Sequence, residues 1–136
     1  DLPWRKCWRE GFLPGISTPG LEALASALAS DNKELLQGAT TSPPPLQCVA
    51  DWPVESACPV SYTGWKGDAL TTVGEVEEYF ARTCQACDER LGEAAACRYL
   101  LNWIDDTPRE EMRTALLEEV NLALAERYQK EKPCCP

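Results

Sequence analysis

From Thr72 onward the chain keeps one rhythm. Val73, Val76, Phe80, Cys84, Cys87 and Leu91 recur at steps of three and four residues, which places all six on one side of a long helix ending at Gly92. Thr72 and Glu75 have the spacing of a capping box, so this helix has a defined start. Glu93 is expected to restart the chain at once, with Cys97, Leu100, Leu101 and Ile104 as the next stripe. Thr107, Pro108 and Glu110 then mark a third start, as cap, first helical residue and box-closing carboxylate. The last helix carries Met112, Leu116, Leu117, Val120, Ala123 and Leu124 on a wide apolar face and is expected to reach about Tyr128. No period-two run of β-branched residues interrupts this pattern, and no Asn-Gly or Asp-Gly hairpin signal occurs. The expected fold is all-α, a compact bundle of about four to six helices around an irregular, proline-rich central segment.

The first half is less regular. Residues 1–16 form an aromatic and basic arm in which Trp4, Trp8 and Phe12 stand four apart among Arg5, Lys6 and Arg9, before Pro14-Gly15 breaks the chain. Thr18 is the expected cap of a helix holding Leu21, Leu24, Ala25 and Leu28. Asp31 to Glu34 reads as a second capping box, starting a short helix that turns Leu35 and Leu36 to the core before Gly38. Residues 39–71 hold Pro43, Pro44, Pro45, Pro53 and Pro59, which exclude long helices. Two short helical turns starting at Ser42 and Asp51 are expected there, then a loop with Tyr62 and Trp65. Trp52 and Trp65 are expected to fasten this segment to the helices. The organisation is thus an arm (1–16), one helical domain (17–129) and a Cys-containing tail (130–136).

Charge narrows the function. The 136 residues carry 13 Lys+Arg against 22 Asp+Glu, net −9, and no histidine. Phosphate neutralisation needs a basic surface, so nucleic acid is excluded as a partner. No apolar run approaches the roughly 20 residues of a membrane helix. Without His, Ser-His-Asp triads, Cys-His dyads and His-ligated metals are all excluded. The acid clusters Glu75/Glu77/Glu78, Asp105/Asp106, Glu110/Glu111 and Glu118/Glu119 alternate with apolar stripes, as solvated faces do. Residues 72–119 hold 12 acids and 5 arginines, a face that would attract a protein partner with a complementary basic surface. No nucleophile has an identifiable base beside it, so the chain reads as a non-enzyme.

Sulfur is the other chemical signal. The eight cysteines are Cys7, Cys48, Cys58, Cys84, Cys87, Cys97, Cys134 and Cys135. Cys84-Gln-Ala-Cys87 has the spacing of a redox couple or of half a zinc or iron–sulfur site. It lies inside a helix, however, and redox CxxC pairs sit where a strand feeds a helix N-terminus. Burial of Cys84, Cys87 and Cys97 as small apolar side chains therefore competes with a redox or metal role. Cys48 and Cys58 flank a turn and are the favoured disulfide pair. Cys134 and Cys135 lie in the tail, open to oxidants or soft metals. No cofactor is required by any of these readings, zinc and an iron–sulfur cluster being the options if one is present.

Trp4, Arg5, Trp8, Arg9, Phe12 and Leu13 form the candidate partner-binding set, since Trp and Arg dominate protein hot spots. The same residues would suit peripheral contact with a lipid surface, or could fold back onto the core. The stretches GISTPGLEAL, QGATTSPPPLQCV, DWPVE and LNWIDDTPREEM resemble a family of small uncharacterised proteins of cyanobacteria and plastids. That resemblance implies a plastid or cyanobacterial setting and an accessory role around photosynthetic complexes. The expected function is a non-catalytic accessory protein docking on a larger assembly. The alternative is a thiol-based redox or Cys-ligated metal protein.

Overall fold

The structure, a computed structural model, describes residues 3–44 and 49–131. Within these residues the protein is an all-α bundle. The helices are α1 (Pro3–Lys6), α2 (Thr18–Ser30), α3 (Pro59–Tyr62), α4 (Val73–Leu91), α5 (Arg98–Asp106) and α6 (Arg109–Glu131), with a small antiparallel pair β1 (Thr41–Ser42) and β2 (Ser56–Ala57). No helix among the described residues is long and apolar enough to cross a membrane.

Local chemistry sets the boundaries. The Thr72/Glu75 capping box is formed in both directions, and Gly92 closes α4 in the left-handed conformation at φ 68°. Helix α5 does not restart at Glu93. The Asp88 carboxylate instead accepts from the N–H groups of Ala95 (3.0 Å) and Cys97 (2.8 Å), holding a tight turn that delays the helix to Arg98. Helix α2 is capped one residue earlier than expected: Ser17, not Thr18, accepts from the Gly20 N–H at 3.1 Å. The expected helix after Asn32 is absent. The Asn32 side chain accepts from the Glu34 N–H (2.8 Å) and so forms a turn in place of a cap. Leu35 stays buried, but as a strand-like bridge to Ala57. The turn expected after Ser42 runs into residues 45–48, outside the described residues, while Ser42 itself pairs with Ser56 in the small sheet; the helical turn expected at Asp51 is absent, Val54 donating to the Thr71 carbonyl. Tyr62 and Trp65 lie on helical structure, at the end of α3 and in the π-helical turn Thr63–Gly67 that extends it.

The core gathers Leu21, Leu24 and Leu28 of α2, Leu100 and Ile104 of α5, and Met112, Leu116 and Val120 of α6. Helix α6 lies across α2, with Arg113 Nε donating to the Leu28 carbonyl (2.8 Å) and Arg109 Nε to Asp31 (2.7 Å), fastening the C-terminal end of α2.

The arm is part of this core. After α1 it continues as a wide π-helical stretch, Cys7–Phe12, and a 3₁₀ turn, Leu13–Gly15. Trp4, Trp8 and Phe12 are 4%, 1% and 0% exposed, and the Trp4 ring stacks flat on Trp103, with centroids 3.6 Å apart. The expectation that these aromatics present themselves to a partner or a lipid surface is overturned, because they already fill the bundle. Burying three such side chains stabilises the fold by at most about 5–9 kcal/mol, an upper bound on area grounds. Trp52, expected to anchor the central segment, is 54% exposed.

Candidate functional site

Four thiols meet where the arm, α4 and the start of α5 come together. Cys84 and Cys87, one turn apart on α4, share a face. Cys7 comes from the π-helical stretch of the arm and Cys97 is the residue that caps α5. The sulfurs of Cys7 and Cys87, 80 residues apart in sequence, are 3.7 Å apart. Cys84 and Cys97 make up the second pair, near enough that each shifts the acidity of the other. The cluster is therefore two pairs. Among the described residues no group of three or more Cys, Asp or Glu side chains is placed to hold a metal ion, so the zinc and iron–sulfur options find no site there.

The four thiols differ in acidity. Burial raises Cys84 and Cys97, with the neighbouring thiol adding to the effect at Cys84 and the Asp88 carboxylate at Cys97. Cys7 is lowered, mainly because the Cys87 S–H stabilises its thiolate, and the Leu100 N–H in the first turn of α5 acts in the same sense. Burial and the Asp88 charge oppose both. Cys87 is raised, chiefly by Cys7 and then by burial. The pair thus gives up one proton at Cys7 and holds the other firmly on Cys87. Helix N-termini favour thiolates, and here the thiol at that position is Cys7, not the CxxC motif.

Cys58 stands apart. It carries a free, buried thiol that accepts from the Ser61 N–H (3.4 Å) and caps α3. The expected Cys48–Cys58 disulfide is thus not formed, the Cys58 sulfur being used as a cap. Cys48, Cys134 and Cys135 lie outside the described residues.

A second cluster holds the arm from the other side. Glu119 is 2% exposed, although its sequence context reads as a solvated acid pair. Arg9 grips it through Nε and Nη2, both at 2.8 Å, and Arg5 adds a third contact through Nη1. The fork geometry is the strong form of an ion pair and holds the carboxyl below its ordinary range, with Arg9 the leading cause. Arg5 and Arg9, expected at a partner interface, are spent on this internal contact. Leu13 is half-buried, and its carbonyl accepts from Arg127 at 2.9 Å.

Cys7 and Glu119 are the two residues that sequence reasoning passed over. Cys7 was visible in principle: Trp4, Cys7, Trp8, Gly11 and Phe12 follow a three-and-four spacing, which places the thiol on the buried face of the arm. Glu119 had no such signal, because only the tertiary approach of Arg5 and Arg9 buries it. No family model, curated protein or solved structure matches the chain.

Proposed function

We propose that this is a non-catalytic helical protein whose state is set by thiol–disulfide chemistry, with Cys7–Cys87 and Cys84–Cys97 as its two oxidisable pairs. The observation that carries this reading is the 3.7 Å approach of Cys7 and Cys87 across 80 residues of sequence. A thiol pair at this separation needs only a small inward movement to reach the bond length of about 2.05 Å. Closing it would tie the arm to α4, and closing Cys84–Cys97 would tie α4 to the start of α5. In the chain-entropy model the long loop is worth about 4–5 kcal/mol and the short one about 3 kcal/mol. The weakened acidities of Cys84, Cys87 and Cys97 disfavour a resting thiolate, which suits a structural lock better than a turnover enzyme. The test is diamide oxidation of the reduced chain followed by peptide mapping without reductant. Linked peptides Cys7–Cys87 and Cys84–Cys97 are expected; an exclusive Cys84–Cys87 link, or four free thiols after oxidation, would defeat the reading.

A second reading, docking on a larger assembly such as a photosynthetic complex, is favoured by one surface feature. Leu122 is 57% exposed in a groove of about 430 Å³ between the arm and α6, beside Leu13 and Glu126. An exposed leucine near carboxylates suits a basic amphipathic partner segment. Leu122→Glu should abolish capture of the partner if docking uses this groove, and unchanged capture would exclude it.

A further inference from the structure

We propose that the cleft beside Cys7 is a thiolation site for a small zwitterionic disulfide of the glutathione class, in which Cys7 attacks and Cys87 resolves. This rests on the thiol–disulfide reading above and gives it a route. The cleft holds about 310 Å³ and is lined by Pro3, Lys6, Cys7, Leu91, Glu93 and Tyr99. That volume is at the low end of the roughly 300–1,000 Å³ of ligand sites, a size for a small molecule and not for a protein loop. Its walls offer both signs of charge: Lys6 for a carboxylate, and Glu93 for an ammonium group. Glu93 is kept ionised by the Tyr99 hydroxyl (2.7 Å) and by Arg98 (3.1 Å). Apolar contact comes from Pro3 and Leu91.

The chemistry balances with the small disulfide RSSR as oxidant. The Cys7 thiolate attacks one sulfur of RSSR; the Cys7–S–S–R bond forms, the RS–SR bond breaks, and RS⁻ leaves with the proton that Cys7 gave up. Cys87, whose sulfur is 3.7 Å from that of Cys7, then attacks the Cys7 sulfur. The second RS⁻ leaves and takes up the Cys87 proton. Two cysteine thiols are oxidised to one disulfide and one RSSR is reduced to two RSH. The sequence of steps follows the acidities. Cys7 is the easier to ionise, and once it is capped the leading cause of the raised Cys87 is gone. Cys7 is only 1% exposed, so the first attack waits on local opening of the cleft and is slower than at a surface thiol.

The test uses the full reduced chain and glutathione disulfide as the probe, read by intact mass and peptide mapping. In wild type the Cys7 and Cys87 peptides should map as one disulfide-linked pair, two hydrogens lighter, with no lasting adduct on either residue. Cys87→Ser should instead gain one glutathionyl group, mapped to Cys7, and Cys7→Ser should gain none at Cys87. Cys87→Ala provides the same trap with a different replacement, and near-UV circular dichroism selects the variant that keeps the native fold. Lys6→Glu should slow the adduct several-fold with glutathione disulfide but not with the uncharged hydroxyethyl disulfide. If diamide links Cys7 to Cys87 in wild type while a folded Cys87 variant takes no adduct, or takes it at Cys84 or Cys97, the thiolation site is wrong and the disulfide reading stands. If diamide forms no Cys7–Cys87 link, the disulfide reading itself fails.

Discussion

The arm and the central segment are both short, irregular and rich in aromatic or proline residues, yet the fold treats them in opposite ways. Residues 3–16 are held by side chains: two buried indoles and a phenyl ring, a three-point ion pair on Glu119 and a thiol contact with Cys87. The segment around Trp52 is held by its backbone. Trp52 donates to the Val49 carbonyl (3.0 Å) and accepts from the Val73 N–H (2.9 Å), while its ring remains in solvent. The difference follows from period. A helical spacing converges every fourth side chain on the core, whereas a proline-punctuated strand–turn path spends its contacts on main-chain pairing and has no continuous face to bury.

Removal of Trp8 should separate the two regions most sharply. It is 1% exposed, and no described group accepts from its indole N–H, so its worth lies in packing and not in a hydrogen bond. Trp8→Ala should cost about 3–5 kcal/mol, the range for large-to-small changes in cores. Urea unfolding followed by circular dichroism checks this. A loss below about 1 kcal/mol would mean that the arm is dispensable to the bundle.

Gly11 tests the arm at the point where it touches the thiols. A Cβ at this position would run into the Cys87 sulfur and lie 3.1 Å from Leu91. Gly11→Ala should therefore push the arm off α4, at about 1–3 kcal/mol for overpacking. The same variant should slow diamide-driven Cys7–Cys87 linkage while leaving Cys84–Cys97 unchanged, which peptide mapping resolves. Equal slowing of both pairs would show general unfolding rather than a local shift.

The ion-pair anchor carries a pH signature. Because the Glu119 carboxyl is lowered in the folded protein, its contribution is full above the ordinary carboxylate value of about 4.3 and is lost as pH falls through the lower folded value. Glu119→Gln should cost about 2 kcal/mol at neutral pH, less than a fully buried pair would because Arg9 is partly in water. Acidification below about pH 4 should narrow the gap between variant and wild type. Unfolding curves recorded from pH 7 to pH 2 measure it; a gap that widens with acid would contradict the lowered carboxyl.

These contrasts explain what the residues disclosed beforehand. The α4 capping box and the stripe from Val73 to Leu91 were readable because local spacing and tertiary burial ask for the same residues there. The all-α class followed from that half alone. The turn at Asn32 was misread since one Asn can cap a helix or close an Asx turn, and only the approach of Ala57 decides. Trp4 and Trp52 show the same limit. A tryptophan's composition signal is identical in both places, and what differs is whether Trp103 lies opposite it. At the thiol site Cys84, Cys87 and Cys97 were identified from their helical spacing, but Cys7 lies some 80 residues away and its proximity to Cys87 is a property of the folded chain.

The smallest expected effect lies in the central segment. Trp52→Ala removes a ring that is 54% exposed but leaves the backbone bonds to Val49 and Val73 available. Its stability change should stay within about 0.5 kcal/mol, as for surface substitutions away from special features. Spectroscopy should respond far more than stability does. Among the five tryptophans Trp4 and Trp8 are buried, so Trp52→Phe should remove the main component of fluorescence that acrylamide quenches, while the Trp4 and Trp8 emission persists. If quenching is unchanged and the unfolding midpoint falls markedly, Trp52 packs against the protein in solution. The central segment would then be anchored as the arm is, by a side chain, and the contrast between the two regions would disappear.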